Sequence, residues 1–92
     1  MRIFEDEDAG YLAWIDGHQH GLVVNTTRKP DSRYLYLHRA SCGTIRGTPA
    51  RGKRWTTGVL IKACSETRAD LEQWASQQVG GKLHPCGLCR PD

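Results

Sequence analysis

Residues 83–92 read LHPCGLCRPD and contain a C-x-x-C pair, Cys86 and Cys89. Two thiolates at this spacing can chelate one metal ion from a tight turn, and a closed tetrahedral zinc site then needs two further sulfur or nitrogen ligands. The chain has two other cysteines, Cys42 and Cys64, and both lie far upstream. A metal ion shared by the pair and these upstream residues would therefore tie the last residues to the middle of the chain.

The C-x-x-C spacing and the thiols and imidazoles available elsewhere predict Cys42, Cys86 and Cys89 as ligands of Zn²⁺, with Cys64 or His38 as the fourth ligand. His84 is a weaker candidate, because it is so close to the pair that it would have to fold back on it. His38 precedes Cys42 by four positions, a chelating interval found in zinc sites. Cys64 falls at the end of a predicted strand, where it would be either a ligand or an ordinary small buried thiol. The sequence leaves this choice open.

The four cysteines also suit a disulfide framework, and a C-x-x-C pair can be a thioredoxin-like redox centre. A thioredoxin-like pair opens a helix, whereas this pair follows a predicted helix, which argues against redox chemistry. The acidic run at residues 5–8 stands where a signal peptide would have a basic start, and no stretch approaches transmembrane length. We therefore expect a cytoplasmic protein without membrane contact, and reduced thiols in that compartment favour a metal over disulfides.

The length of 92 residues predicts one domain, residues 1–92, that is only marginally stable on packing alone. A metal would supply part of the missing stability. Hydrophobic periodicity and turn signals predict the order helix, hairpin, strand, helix and zinc turn. We therefore expect an α+β fold, in which a small three-stranded antiparallel sheet is flanked by two helices and closed by the C-terminal C-x-x-C zinc turn.

The predicted elements are separated by glycine-rich and proline-containing turns. The ranges are a helix at 6–16, strands at 21–26, 33–38 and 55–64, and a helix at 65–80. In the second helix, Thr67 can cap the backbone at Asp70, and Gly80 can end the helix. Residues 43–54 are rich in glycine and arginine without apolar periodicity, so we expect a mobile loop there.

Positive charge is concentrated in the middle of the chain. The net charge is only +3, but residues 28–62 hold nine basic side chains and one acidic side chain. Residues 1–27 hold one basic and five acidic groups, and residues 63–92 hold three basic and four acidic groups. A segregated positive segment suits phosphate binding, although a solvated loop kept soluble by its charge has the same composition. The excess of arginine over lysine favours phosphate and base edges.

Aromatic residues accompany this charge. In the predicted strand 33–38, Tyr34, Tyr36 and His38 point to one face, and Leu35 and Leu37 point to the other. Exposed tyrosines can stack on bases, whereas tyrosines packed against a helix would be ordinary core residues. The predicted nucleic-acid-binding residues are Arg33, Tyr34, Tyr36, Arg39, Arg46, Arg51, Lys53, Arg54, Trp55 and Lys62.

Four runs carry a family resemblance: YLHRASCGTI at 36–45, WTT at 55–57, KACS at 62–65 and GGKLHPCGLC at 80–89, with an amphipathic helix between the last two. They resemble a small actinobacterial module, the amino-terminal part of McrA-type, modification-dependent restriction endonucleases of streptomycetes. The resemblance covers nearly the whole chain. It implies a bacterial DNA-binding module that recognises modified DNA, with methylated cytosine as the expected mark, while a separate HNH domain of a larger nuclease cleaves.

This chain departs from the whole enzyme in lacking an HNH motif, and it has no nucleophile elbow, H-E-x-x-H helix or Walker-type loop. We therefore expect no enzymatic activity from the chain by itself. Two other functions fit the residues: a protein-interaction adaptor with structural zinc, whose acidic first segment and basic middle contact different partners, and a C-x-x-C redox protein.

Overall fold

A five-stranded mixed sheet forms the centre of the protein, whose computed structural model describes residues 1–46 and 55–91. The elements in chain order are β1 (Arg2–Phe4), α1 (Asp8–Gly17), β2 (Leu22–Thr27), β3 (Leu35–Arg39), a 3-10 turn (Gly43–Ile45), β4 (Leu60–Ser65), α2 (Arg68–Trp74) with a π-helical extension (Ala75–Val79), and β5 (His84–Pro85). The strand order is β1-β4-β2-β3-β5, and only the β3–β5 pair is parallel.

The predicted α+β class is confirmed, but the predicted count of three strands is wrong. The hairpin and the third predicted strand form β2, β3 and β4, and the short strands β1 and β5 are added at the two edges. Strands of three and two residues are too short to show the alternation by which a strand is read from sequence. Their pairing partners, rather than their own residues, make them strands.

Each face of the sheet carries its own core, because neighbouring residues of a strand point to opposite faces. The α1-side core is built from Phe4, Tyr11, Ile15, Val23, Ala40, Cys42, Ile45, Trp55 and Cys64. The α2-side core is built from Val24, Leu35, Leu37, Ala63, Leu71, Trp74 and Ala75. Val23 and Val24 in β2 therefore separate into different cores, as do Ala63 and Cys64 in β4.

The ends of α2 follow the sequence signals. The Thr67 hydroxyl accepts a hydrogen bond from the Asp70 backbone amide at 3.3 Å, as predicted for the cap. The helix begins at Arg68 rather than near Ser65, because Ser65 is the last residue of β4. Gly80 ends the helical segment with a φ of +80°, a left-handed conformation that glycine adopts without steric cost.

Gly81 lets the chain return beside β3. A Cβ built on Gly81 would lie 2.8 Å from the Ser32 Cβ and 2.9 Å from the Leu35 Cδ1. A side chain at this position would therefore push the chain away from β3. The close approach leads directly to β5, where His84 and Pro85 lie opposite Tyr36 and Leu37.

The segment that leads into β4 is not the strand that was predicted, since β4 begins at Leu60 and residues 55–59 form bends. Side chains replace strand pairing here. The Asp8 carboxylate accepts hydrogen bonds from the Trp55 amide (3.1 Å), the Thr56 amide (2.6 Å) and the Thr56 hydroxyl (2.6 Å). Arg28 donates to the carbonyls of Thr56 (3.3 Å) and Gly58 (2.9 Å).

The predicted mobile loop at 43–54 is also corrected at its beginning. Gly43–Ile45 forms a 3-10 turn, Ile45 is buried, and its carbonyl accepts a hydrogen bond from the Tyr11 hydroxyl. Burial of one apolar side chain thus orders a segment whose composition alone indicates a loop. Residues 47–54 lie outside the described residues, so the loop prediction there stays a prediction.

Among the helices of the described ranges, none has the length and apolar character needed to cross a membrane.

Candidate metal centre

Four side chains from two distant parts of the chain meet at one end of β3. His38 lies in β3, Cys42 follows it just before the 3-10 turn, and Cys86 and Cys89 belong to the turn after β5. One ligand atom from each residue lies within 4.8 Å of the ligand atoms of the other three. His38 and Cys42 are buried and Cys86 and Cys89 are half-buried, so the cluster sits at the surface end of the α1-side core.

The backbone holds the C-x-x-C turn against β3. The Cys86 amide donates to the Leu37 carbonyl at 2.8 Å, and the Arg90 amide closes the turn on the Cys86 carbonyl at 3.0 Å. Arg39 adds two bonds from its guanidinium, one to the Cys89 carbonyl at 2.9 Å and one to the Arg90 carbonyl at 2.8 Å. The turn is therefore positioned by backbone hydrogen bonds and by the Arg39 guanidinium, independently of the ligand atoms of the four candidate residues.

Each sulfur of the cluster has a hydrogen-bond partner. The Leu88 amide points at the Cys86 Sγ (3.4 Å), and the Arg39 amide points at the Cys89 Sγ (3.3 Å). The Thr44 hydroxyl lies 3.0 Å from the Cys42 Sγ, and it is the donor when Cys42 is a thiolate. Such outer hydrogen bonds orient ligands and stabilise the deprotonated form that binds metal.

The ionisation of the cluster has identifiable causes. Burial and the positive charge of Lys62 lower the pKa of His38 to about 4, so its imidazole is neutral and able to bind a metal near neutral pH. Burial works to raise the pKa of Cys86, but hydrogen bonds from the backbone amides of Cys89 and Leu88 bring it below the usual value. For Cys89, burial and the neighbouring Cys42 raise the pKa to about 11. A bound cation would favour both thiolates.

The structure selects His38 over Cys64 as the fourth member of the cluster. Cys64 in β4 is opposite Val23 in β2, and Val23 is opposite His38 in β3. Two strand spacings, about 10 Å, therefore separate Cys64 from His38. Cys64 is fully buried in the α1-side core, where burial raises its pKa to about 12. It is an ordinary core thiol, and all four cysteines are free of disulfides.

Two predicted nucleic-acid-binding residues lie in the core, which corrects their assignment. Trp55 is 8% exposed and contacts Tyr11, with 6.1 Å between ring centroids. Lys62 is 3% exposed, and its ammonium donates to the Asn25 side-chain oxygen (2.7 Å) and to the Trp55 carbonyl (2.8 Å). Burial places both side chains away from the protein surface, where a phosphate or a base would bind.

The described arginines of the predicted surface are engaged to different degrees. Arg46 forms a 2.6 Å ion pair with Asp16, and Arg39 bonds the two carbonyls of the C-x-x-C turn. Within residues 1–46 and 55–91, Arg33 forms its ion pair with Asp31, two residues away, and its side chain remains 88% exposed. Arg33 is therefore the one of these three that is best placed to contact a ligand. Three further predicted residues lie outside the described ranges, namely Arg51, Lys53 and Arg54.

The two predicted tyrosines lie together at the surface beside β5. Their rings are 5.0 Å apart in an edge-to-face arrangement, and the Tyr36 ring is 5.9 Å from the imidazole of His84. Tyr36 is 41% exposed. Part of Tyr36 is thus covered, and its contacts with Tyr34 and His84 are with aromatic rings at the sheet edge.

Sequence reasoning missed two supporting residues, Thr44 and Arg39 in its role as a brace for the C-x-x-C turn. Thr44 also lies 3.5 Å from the His38 Nδ1, so one hydroxyl contacts two members of the cluster. Both residues line a cleft of about 430 Å³ on the outer side of Cys42 and Cys89. A threonine two positions after a cysteine is not distinctive in sequence, and the bonds of Arg39 to residues 50 positions away have no local signal.

No protein-family model, curated protein or solved structure matches this chain.

Proposed function

We propose that this chain is a non-catalytic DNA-binding module of the cytoplasm whose fold is held by a structural Zn²⁺ ion. The observation that supports the zinc ion is the convergence of His38, Cys42, Cys86 and Cys89 within 4.8 Å. Three sulfurs and one imidazole nitrogen are a donor set that suits zinc. Zn–S bonds of about 2.3 Å place sulfurs about 3.8 Å apart in a tetrahedron, so only a small closure of the cluster is required.

The proposed role of the metal is structural because four protein ligands leave no open position for a substrate or water. The ion would join β3 to residues about 50 positions further along the chain. Strand pairing between these two parts is short, because β5 pairs with β3 at Tyr36 and Leu37. A cytoplasmic setting keeps the thiols reduced and available to the metal. When bound, the ion supplies a cross-link between the two parts of the chain.

DNA is the proposed partner because the charge and aromatic groups suit a polyanion that carries flat rings. Residues 28–62 hold nine basic groups and one acidic group, and Tyr36 and Arg33 are exposed at the surface beside β5. The preference for methylated cytosine is proposed from the resemblance to McrA-type endonucleases. In that setting the module would serve a restriction system as the recognition part of a larger nuclease.

The other two functions receive less support. An adaptor would need its acidic first segment free for a partner, but Glu5 and Asp6 bind Arg28, and Asp8 binds Trp55 and Thr56. A redox protein would need Cys86 and Cys89 as an isolated dithiol at a helix start. Here the pair faces His38 and Cys42 and follows a short strand.

The test is fluorescence anisotropy of two labelled duplexes that are identical except for cytosine methylation. Each is titrated with the zinc-loaded protein at about 50 mM and about 200 mM salt, and six phosphate contacts would lower the affinity about 10³-fold between these concentrations. We expect tighter binding to the methylated duplex and a steep loss of affinity with salt. Equal, salt-dependent binding would remove the methylation preference and leave a DNA-binding module. Absence of binding at low salt would overturn the proposal.

A further inference from the structure

Three rings form a continuous exposed patch at one edge of the sheet, which we call the aromatic surface: Tyr34, Tyr36 and His84. The two tyrosine rings are 5.0 Å apart at an interplanar angle of 78°, and Tyr36 is 5.9 Å from His84 at 43°. Tyr34 is half-buried, while Tyr36 and His84 are exposed. Tyr34 thus packs against the Tyr36 ring, and the Tyr36 residue remains 41% exposed.

The backbone fixes two of these rings relative to each other. Tyr36 lies in β3 between Leu35 and Leu37, whose side chains point into the α2-side core and so turn Tyr36 to the other face. His84 lies opposite Tyr36 in the parallel pair of β3 and β5. Because packing sets one ring and strand pairing sets the other, the surface is arranged before any ligand arrives, which reduces the entropic cost of binding.

The chemistry of the aromatic surface suits a planar ring attached to an anionic chain. Aromatic side chains stack on bases of any sequence because every base has a π-face. Arg33 precedes Tyr34 in the chain, and its side chain is 88% exposed. A nucleotide combines the flat ring and the negative charge that these two features complement.

The open shape of the surface decides which bases it can take. Bases inside a duplex have both faces covered by their neighbours, and an extruded base is held in an enclosing pocket. Tyr36 is exposed at the sheet edge, with its neighbouring rings inclined to it at 78° and 43°. Such an exposed ring suits the bases of a single strand, which stack on side chains without being enclosed. We propose that the aromatic surface binds an unpaired base of a single-stranded DNA segment, an inference that rests on the DNA-binding function proposed above.

The test compares two duplexes of identical sequence that differ only in a short 3′ tail. One tail carries thymine bases and the other carries abasic sites, so the two DNAs have the same phosphate charge. We expect the zinc-loaded protein to bind the thymine tail about tenfold or more tightly, since a stacked base contributes at that scale. Equal, measurable affinity for both DNAs would overturn this inference while leaving the DNA-binding function intact. Absence of binding to either would overturn both.

Variants assign the effect to the surface. Tyr36→Ala is expected to remove the advantage of the thymine tail, and Tyr36→Phe is expected to keep it because the ring without its hydroxyl still stacks. Ile3→Ala is a matched control, since Ile3 is 43% exposed, close to the 41% of Tyr36, and lies in the opposite edge strand β1. Zinc content and circular dichroism establish that each variant is folded.

Two results in this series would contradict the assignment. An undiminished thymine-tail advantage in folded Tyr36→Ala would show that another surface binds the bases. An advantage for a blunt duplex with a central mismatch, with none for the tail, would identify an extruded base as the ligand and overturn the single-strand proposal.

Discussion

Two regions of this protein join distant segments with polar groups, and they do so in different ways. The candidate metal centre gathers four ligand atoms within 4.8 Å at one end of β3. The second region, which we call the Arg28 junction, consists of Arg28 with Glu5, Asp6, Thr56 and Gly58. With the proposed zinc ion bound, the candidate metal centre would concentrate its stabilisation in one removable ion, whereas the Arg28 junction distributes it over several hydrogen bonds at the surface.

Arg28 shows that a basic residue of the sequence need not be available to a ligand. Arg28 belongs by position to the basic segment, yet it forms two 2.9 Å bonds to the Asp6 carboxylate, a 3.2 Å bond to Glu5, and bonds to the Gly58 and Thr56 carbonyls. Its hydrogen bonds with Asp6 raise its pKa further. A basic residue in a basic segment can therefore be a structural brace, whereas a C-x-x-C pair is recognisable from its spacing alone.

Loss of the metal should have the largest effect. We expect one zinc ion per wild-type chain by elemental analysis, and we expect Cys86→Ser or a chelator to remove it. Because binding energy at a structural zinc site is folding energy, the loss should destabilise the fold by several kcal/mol, on the order of the total stability of so small a domain. Thermal unfolding with and without chelator measures this effect.

Cys64→Ala provides the matched control for the metal centre. Cys64 is a buried cysteine outside the cluster, so this variant should keep the zinc stoichiometry while losing some core packing. A wild-type protein that is fully folded and free of zinc would refute the metal site. Zinc loss in folded Cys64→Ala would instead refute the choice of His38.

Replacement of Asp8 should have an intermediate effect. In Asp8→Ala, the backbone amides of Trp55 and Thr56 lose their acceptor, which we expect to cost about 1–3 kcal/mol in urea unfolding. Asp8→Asn retains one side-chain oxygen and should lose less. Stability equal to wild type in both variants would show that these bonds do not hold residues 55–59 in place.

The same carboxylate predicts a pH dependence. Burial works to raise the pKa of Asp8, but hydrogen bonds from the Thr56 side chain and from the Thr56 and Trp55 amides lower it below 3.8. As the pH falls, the Asp8 carboxylate therefore binds a proton in the unfolded state before it does so in the folded state. Its contribution to the free energy of unfolding is complete above the usual pKa of an aspartate and is lost as the pH falls through the lower pKa of the folded state. Wild type should therefore lose its advantage over Asp8→Ala in acid, and a constant difference would contradict this assignment.

The smallest expected effects are those of replacing single arginines of the basic segment, residues 28–62. Arg28→Ala should lower the urea midpoint measurably, whereas Arg33→Ala should leave it unchanged because Arg33 is highly exposed and its ion pair is with Asp31, two residues away. For DNA binding we expect the reverse. If Arg33 contacts one phosphate, Arg33→Ala should reduce the salt slope by about 0.9, and Arg28→Ala should leave it unchanged. Equal effects of the two variants on both measurements would remove the distinction between brace and ligand contact.

Local signals in the sequence determined much of the fold and part of the candidate site. The hairpin of β2 and β3, most of β4 and both helices follow from periodicity and turns, and the Thr67 cap and the Gly80 helix end follow from single residues. The pair Cys86 and Cys89, with Cys42, could be proposed because chelating chemistry is visible in residue type and spacing. Apart from Cys42, which was proposed from its residue type, these features depend on residues that are close in the chain.

Tertiary structure decided the features that depend on distant partners. The edge strands β1 and β5 exist through pairing with β4 and β3, His38 is preferred to Cys64 because β2 lies between their strands, and Lys62 is buried by residues that are far away in sequence. Residue spacing indicates which nearby side chains can bind one ion or form one turn, but it does not give the distance between two strands. The fourth ligand and the availability of each basic side chain are set by how those strands pack, and this was the part that only the folded chain could show.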